Sequence, residues 1–192
     1  MTVNRLSLLA LTLCLSISGC SSVLTATRDN PIEDDRGTRT FGSKIDDSLI
    51  ETKAAVNIAK ASPDLDQNSH IVVTSYNGVV LLAGQTPRAD LKALAEKEAS
   101  AVQRVKKVNN ELQVMAPSSL LARNNDAWLT TKVKSQMLTD SAIPGSRIKV
   151  VTENGIVFLL GLVTQQEATR ATNLVQGVSG VQKIVKLFEY ID

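Results

Sequence analysis

From residue 44 onward the apolar positions change period in a regular way. Ile50, Ala54 and Ile58 recur every four residues, the spacing of one buried helix face. The runs "HIVVTS" and "VVLLAG" follow, rich in β-formers and separated by Asn77-Gly78. Asn-Gly between two such runs is a strong hairpin signal, because a type I′ turn needs positive φ at both central residues. A second helix is expected from Thr86-Pro87, with proline at the favoured first helical position. "NELQV" then reads as a closing strand. The cycle begins again at Leu129, Val133 and Met137, with a hairpin at Asn154-Gly155. Thr164 and Glu167 have the spacing of a capping box, and "KLFEYI" closes the series.

The two cycles are copies. "IVVTSYNGVVLLAG" (71–84) matches "IKVVTENGIVFLLG" (148–161) at a shift of 77. "AVQRVKKV" (101–108) matches "GVSGVQKI" (177–184) at 76, and "DDSLIETK" (46–53) matches "NDAWLTTK" (125–132) at 79. Two copies are too few for a solenoid, so the expectation is two sister domains, 44–116 and 125–192, joined by a linker at 117–124. The fold class is α+β. Each domain reads α-β-β-α-β, a three-stranded mixed sheet packed by two helices, and about 70 residues is marginal for a domain standing alone. Residues 21–43 lack a period and carry seven charges and three breakers, so 20–43 reads as a tether.

The N-terminus bears on location. Arg5 is the first charge, and "LSLLALTLCLSIS" after it is too short to span a bilayer, which takes about 20 residues. Residues 1–19 therefore read as a signal peptide. "ISGC" resembles a bacterial lipobox, which implies cleavage before Cys20 and acylation of that cysteine. By analogy with such lipoproteins, Ser21 after the cysteine implies the outer membrane, with the folded part facing the periplasm.

Composition removes several classes of function. With Cys14 in the signal and Cys20 lipidated, no thiol pair remains for a disulfide or a thiolate metal site. Without residues 1–19 the charge is 20 − 19 = +1, and aromatics are few, so nucleic acid is not an expected partner. His70, the single histidine, reads as a surface or edge residue with no second His or Cys to complete a metal site. Asp46-Asp47 lies where a helix start favours negative charge, and Asp64 and Asp66 lack the calcium-loop pattern. No cofactor or catalytic residue is expected, and no enzyme.

"SYNGVVLLAG", "RVKKVNNELQV", "TENGIVFLLG" and "GVQKIVKLFEYI" resemble the BON domain of bacterial periplasmic proteins. Two such domains behind a lipobox resemble the dual-BON outer-membrane lipoproteins. The resemblance implies binding of anionic phospholipid, such as phosphatidylglycerol or cardiolipin, through the second domain. It also implies enrichment at the division site and support of outer-membrane integrity. One departure is Arg104 where the second copy has Gly180, so the turn there is expected to manage without a free φ.

Trp128, the single tryptophan, does not belong to the core stripe of its own helix. Helical geometry points it about 140° from the centre of that stripe. Leu49 holds the equivalent place in the first copy, in a helix whose charges cancel, whereas residues 123–138 carry 3 − 1 = +2. An indole beside lysines suits the membrane–water boundary. The candidate lipid-contacting residues are Trp128, Leu129, Thr131, Lys132, Lys134, Ser135 and Leu138. An indole packed in a seam between the domains fits the same geometry. The alternative function is a protein–protein adaptor for outer-membrane assembly machinery.

Overall fold

The computed structural model describes residues 36–192. The signal peptide, Cys20 and the first part of the tether lie outside the described residues. Helix α1 (Phe41–Ala61) opens the first repeat, with the Thr40 hydroxyl accepting from the Ser43 N–H at its start. It begins three residues before the expected boundary and buries Ile50, Ala54 and Ile58, the stripe read from the sequence. A short helix, α2 (Pro63–Gln67), follows, because Ser62 caps it and Pro63 starts it. Strands β1 (His70–Tyr76) and β2 (Val79–Thr86) pair antiparallel through the Asn77-Gly78 turn. Both turn residues have positive φ, +54° and +80°. Helix α3 (Ala89–Ser100) has Arg88 as its N-cap, so Pro87 precedes the helix instead of starting it.

The closing strand of this repeat is broken. β3 (Lys107–Asn110) and β4 (Gln113–Val114) both run parallel to β2, and Leu112 between them turns into the core. The second repeat is more regular. Helix α4 (Leu120–Thr139) leads into β5 (Ile148–Glu153), β6 (Ile156–Val163), α5 (Gln165–Gln176) and an unbroken β7 (Lys183–Tyr190). The expected capping box is present: Thr164 accepts from the Glu167 N–H and Glu167 accepts from the Thr164 N–H. β6 is central, antiparallel to β5 and parallel to β7, as β2 is between β1 and β3.

Arg104 corrects the sequence reading. It adopts φ +73° where Gly180 adopts +103°, so both copies build the turn with positive φ. An arginine there carries backbone strain, and an ion pair between its guanidinium and Asp46 helps to hold it.

Among the described residues three cores set the layering. One lies between the first sheet and α1 to α3, and contains Val80 and Leu82 of β2. Another lies between the second sheet and α4 and α5, and contains Val157 and Leu159 of β6. The third joins the sheets: Tyr76, Leu81 and Ala83 meet Phe158 and Leu160. Alternate residues of each central strand thus face opposite cores. The order of layers is helices, sheet, sheet, helices. Polar contacts edge the seam, including Tyr76 Oη to the Arg147 carbonyl at 2.6 Å and Lys149 Nζ to Glu51 at 2.7 Å.

Candidate functional site: the outward face of helix α4

The rotation of α4 about its axis decides what it shows to solvent, and one buried carboxylate fixes that rotation. Asp126 accepts from the N–H of Asn154 at 2.8 Å and of Gly155 at 2.9 Å. A tight turn with two positive-φ residues aims successive N–H groups the same way, and a carboxylate with two oxygens satisfies both. Asp47 does the same in the first repeat. It takes the Asn77 and Gly78 N–H groups at 2.8 and 2.9 Å, and the Ser75 hydroxyl and Arg39 besides. Burial pushes the Asp47 carboxyl up, but the donors from Gly78, Ser75, Asn77 and Arg39 outweigh it and hold it below its ordinary value. Asp47 is therefore a clamp on the hairpin in the second turn of α1, and not an ornament of a helix start.

With Asp126 turned inward, Leu129, Val133 and Met137 fill the core. Leu129 is 1% exposed, which corrects its place among the lipid-contacting candidates: it lies on the wrong side of the helix. The other candidates are at the surface. Trp128 is 60% exposed and Leu138 63%. Thr131, Lys134 and Ser135 are exposed, and Lys132 is half-buried with its ammonium 5.1 Å from the centre of the Trp128 ring. At that distance the cation meets the negative face of the indole. Trp128 is on the opposite side of α4 from the sheet, and the seam between the domains is built from the two sheets.

The sequence reading missed two residues of this face. Leu120 and Leu121 were placed in the linker, yet they form the first turn of α4 and are 75% and 79% exposed. The available signal was Ser119, whose hydroxyl accepts from the Ala122 N–H as an N-cap. By helical geometry Leu121 lies within about 20° of the Trp128 direction, two turns earlier.

The sister helix differs less than expected. α1 also shows apolar side chains outward: Phe41, Ile45, Leu49 and Val56. Charge is what separates the two. α1 carries three lysines against Asp46, Asp47 and Glu51. α4 carries Arg123, Lys132 and Lys134 against Asp126 alone, and that carboxylate is buried in the clamp. The charges of α4 outside the clamp are therefore all positive.

His70 is not a plain edge residue. Its Nε2 lies 3.3 Å from Glu153 Oε1 across the seam. Burial raises the Glu153 carboxyl, His70 opposes that shift, and Asp126 adds to it. Among the described residues no group of three or more His, Cys, Asp or Glu could hold a metal ion. A cleft of about 390 Å³ beside α1 contains Asp46, Asp47 and Arg104, whose charges already engage partners within the chain.

The same α-β-β-α-β unit with its clamped Asn-Gly turn occurs twice, and the BON domain description matches both, at residues 46–116 and 125–192. The chain belongs to the BON domain family. Its two BON domains are accompanied by similarity over the whole length to the "Outer membrane lipoprotein DolP" of Haemophilus influenzae, 38% identical and covering all of both chains. The "21 kDa hemolysin" of Actinobacillus pleuropneumoniae is 33% identical over 80% of this chain and 78% of its own. The "Osmotically-inducible protein Y" of Escherichia coli is 26% identical over 96% of each chain. In this dual-BON chain, Trp128 and its cationic neighbours belong to the first helix of the second BON domain.

Proposed function

We propose that the chain is an outer-membrane lipoprotein, anchored through Cys20 and facing the periplasm, whose α4 rests on anionic phospholipid. In this reading it supports outer-membrane integrity and gathers at the division site. Full-length similarity to an outer membrane lipoprotein supports the location. Among the described residues no helix is long and apolar enough to cross a membrane, so the contact of the folded body is peripheral. The observation that carries the reading is a 60% exposed indole with a lysine over its ring, on a helix whose single acid is buried. Indoles favour the headgroup boundary, and each nearby cation adds about 1 kcal/mol toward an anionic surface. Thr131 and Ser135 flank the indole and keep that boundary face polar enough to stay dissolved before it binds.

Trp128 is the one tryptophan, so its emission reports on this site alone. With residues 36–192, free of any anchor, vesicles containing phosphatidylglycerol or cardiolipin should shift the emission to the blue, and pure phosphatidylcholine should not. Added salt should reverse the shift, because exposed charges are screened. Trp128→Glu should abolish vesicle binding and leave the fold intact. An unshifted spectrum, or an unfolded variant, would refute the reading.

The second reading is an adaptor for outer-membrane assembly machinery. The α1 stripe of Phe41, Ile45, Leu49 and Val56 favours it, since an apolar face without excess cations suits a protein surface. Such a contact would be insensitive to salt.

A further inference from the structure

The apolar groups of α4 occur at both ends of one helix and not only around the tryptophan. Leu120 and Leu121 stand at its first turn, Trp128 near its middle and Leu138 at its last turn. From residue 120 to residue 138 the helix rises about 27 Å. The leucine pair is presented in a fixed pose. Ser119 caps the turn, Arg123 Nε donates to the Ser118 hydroxyl, and the Ser118 N–H donates to the buried Gln85 of the first domain. These residues are therefore held, and do not wave as linker. Two leucines at 75% and 79% exposure on a pre-ordered turn cover nothing among the described residues.

Resting on the reading of α4 as a lipid contact, we infer that Leu120 and Leu121 are a second insertion point into the same anionic bilayer. The occupant follows from continuity and charge. Leu121 shares the Trp128 direction, and the charges of α4 outside the buried Asp126 clamp, Arg123, Lys132 and Lys134, have one sign. Apolar anchors at both ends of a cationic helix make it lie flat, with its axis parallel to the surface. A single central indole would let it rock. The pair also joins the contact to the first domain through Ser118 and Gln85, so both domains take one orientation to the membrane.

The folded body, residues 36–192, closes its three cores without the preceding segment and contains no cysteine. A single Leu121→Cys variant can therefore carry an environment-sensitive nitrobenzoxadiazole label at one place. Vesicles of phosphatidylcholine with phosphatidylglycerol should shift that label to the blue and shield it from aqueous quencher. The same label at Leu49→Cys, on α1, should stay in water. Leu121→Ser should weaken vesicle binding about tenfold, the loss expected for one leucine withdrawn from apolar surroundings. If Trp128 emission shifts while the label at 121 stays wet, the second insertion point is refuted and the α4 contact stands. If neither responds, both are refuted. Unchanged binding by Leu121→Ser would also overturn the inference.

Discussion

Replacing Asp126 by asparagine exchanges one oxygen for an amide nitrogen in a buried clamp and tests the logic of the repeat. The carboxylate meets the N–H groups of Asn154 and Gly155 at 2.8 and 2.9 Å, and it is 4% exposed. An amide can accept only one of those bonds and turns an N–H toward the other donor. A buried donor left without a partner costs about 1–3 kcal/mol, and loss of the charge-assisted character of the remaining bond adds to it. The release of a buried carboxylate offsets part of this, so about 2–4 kcal/mol should be lost. With a urea dependence of about 2 kcal/mol/M the midpoint falls by about 1–2 M. Asp126→Ala should cost about as much, since a smaller residue leaves both donors unmet. Urea titration followed by Trp128 emission and by circular dichroism gives the measurement. A midpoint that moves by less than about 0.2 M in Asp126→Asn would refute the argument, because the turn would then hold its own N–H groups without the helix.

Two further outcomes follow from the seam. Burial raises the Glu153 carboxyl above its ordinary 4.5, so the folded chain binds that proton more tightly than the unfolded chain does. Its contribution is favourable below that value and is lost as pH rises toward the raised one. Glu153→Gln should remove this fall and be at least as stable near neutrality, as read from the difference between the two stability–pH profiles; a variant less stable at neutral pH would refute it. Leu81 is 0% exposed against Phe158 and Leu160, so Leu81→Ala should cost about 2–5 kcal/mol and split one calorimetric transition into two. A single, unshifted transition would show that the two sheets do not stabilise each other.

Periodicity carried the internal structure of each repeat, because Ile50, Ala54 and Ile58, like Leu129, Val133 and Met137, obey local geometry. The Asn-Gly hairpins were legible for the same reason. Helix starts were less so: Thr40 and Ser119 cap their helices several residues early, in segments otherwise poor in periodic signal. That cost the reading Leu120 and Leu121. The layering was also written in the chain and not read. "VVLLA" and "IVFLL" are apolar at every position, which a strand covered on one face does not need. Such runs demand a partner on the second face, and each sheet is that partner for the other. Arg104 and the two aspartate clamps could not be inferred from type and spacing, since positive φ at an arginine and a carboxylate reaching a turn about 30 residues away both depend on the folded context.

Because each central strand is apolar on both sides, a repeat cut away from its sister would present a greasy sheet to water. The duplication is therefore self-protecting: neither half is a spare, because each sheet is the cover of the other. Any attempt to divide the labour by expressing the halves separately should begin by repainting Leu81, Ala83, Phe158 and Leu160 with polar side chains.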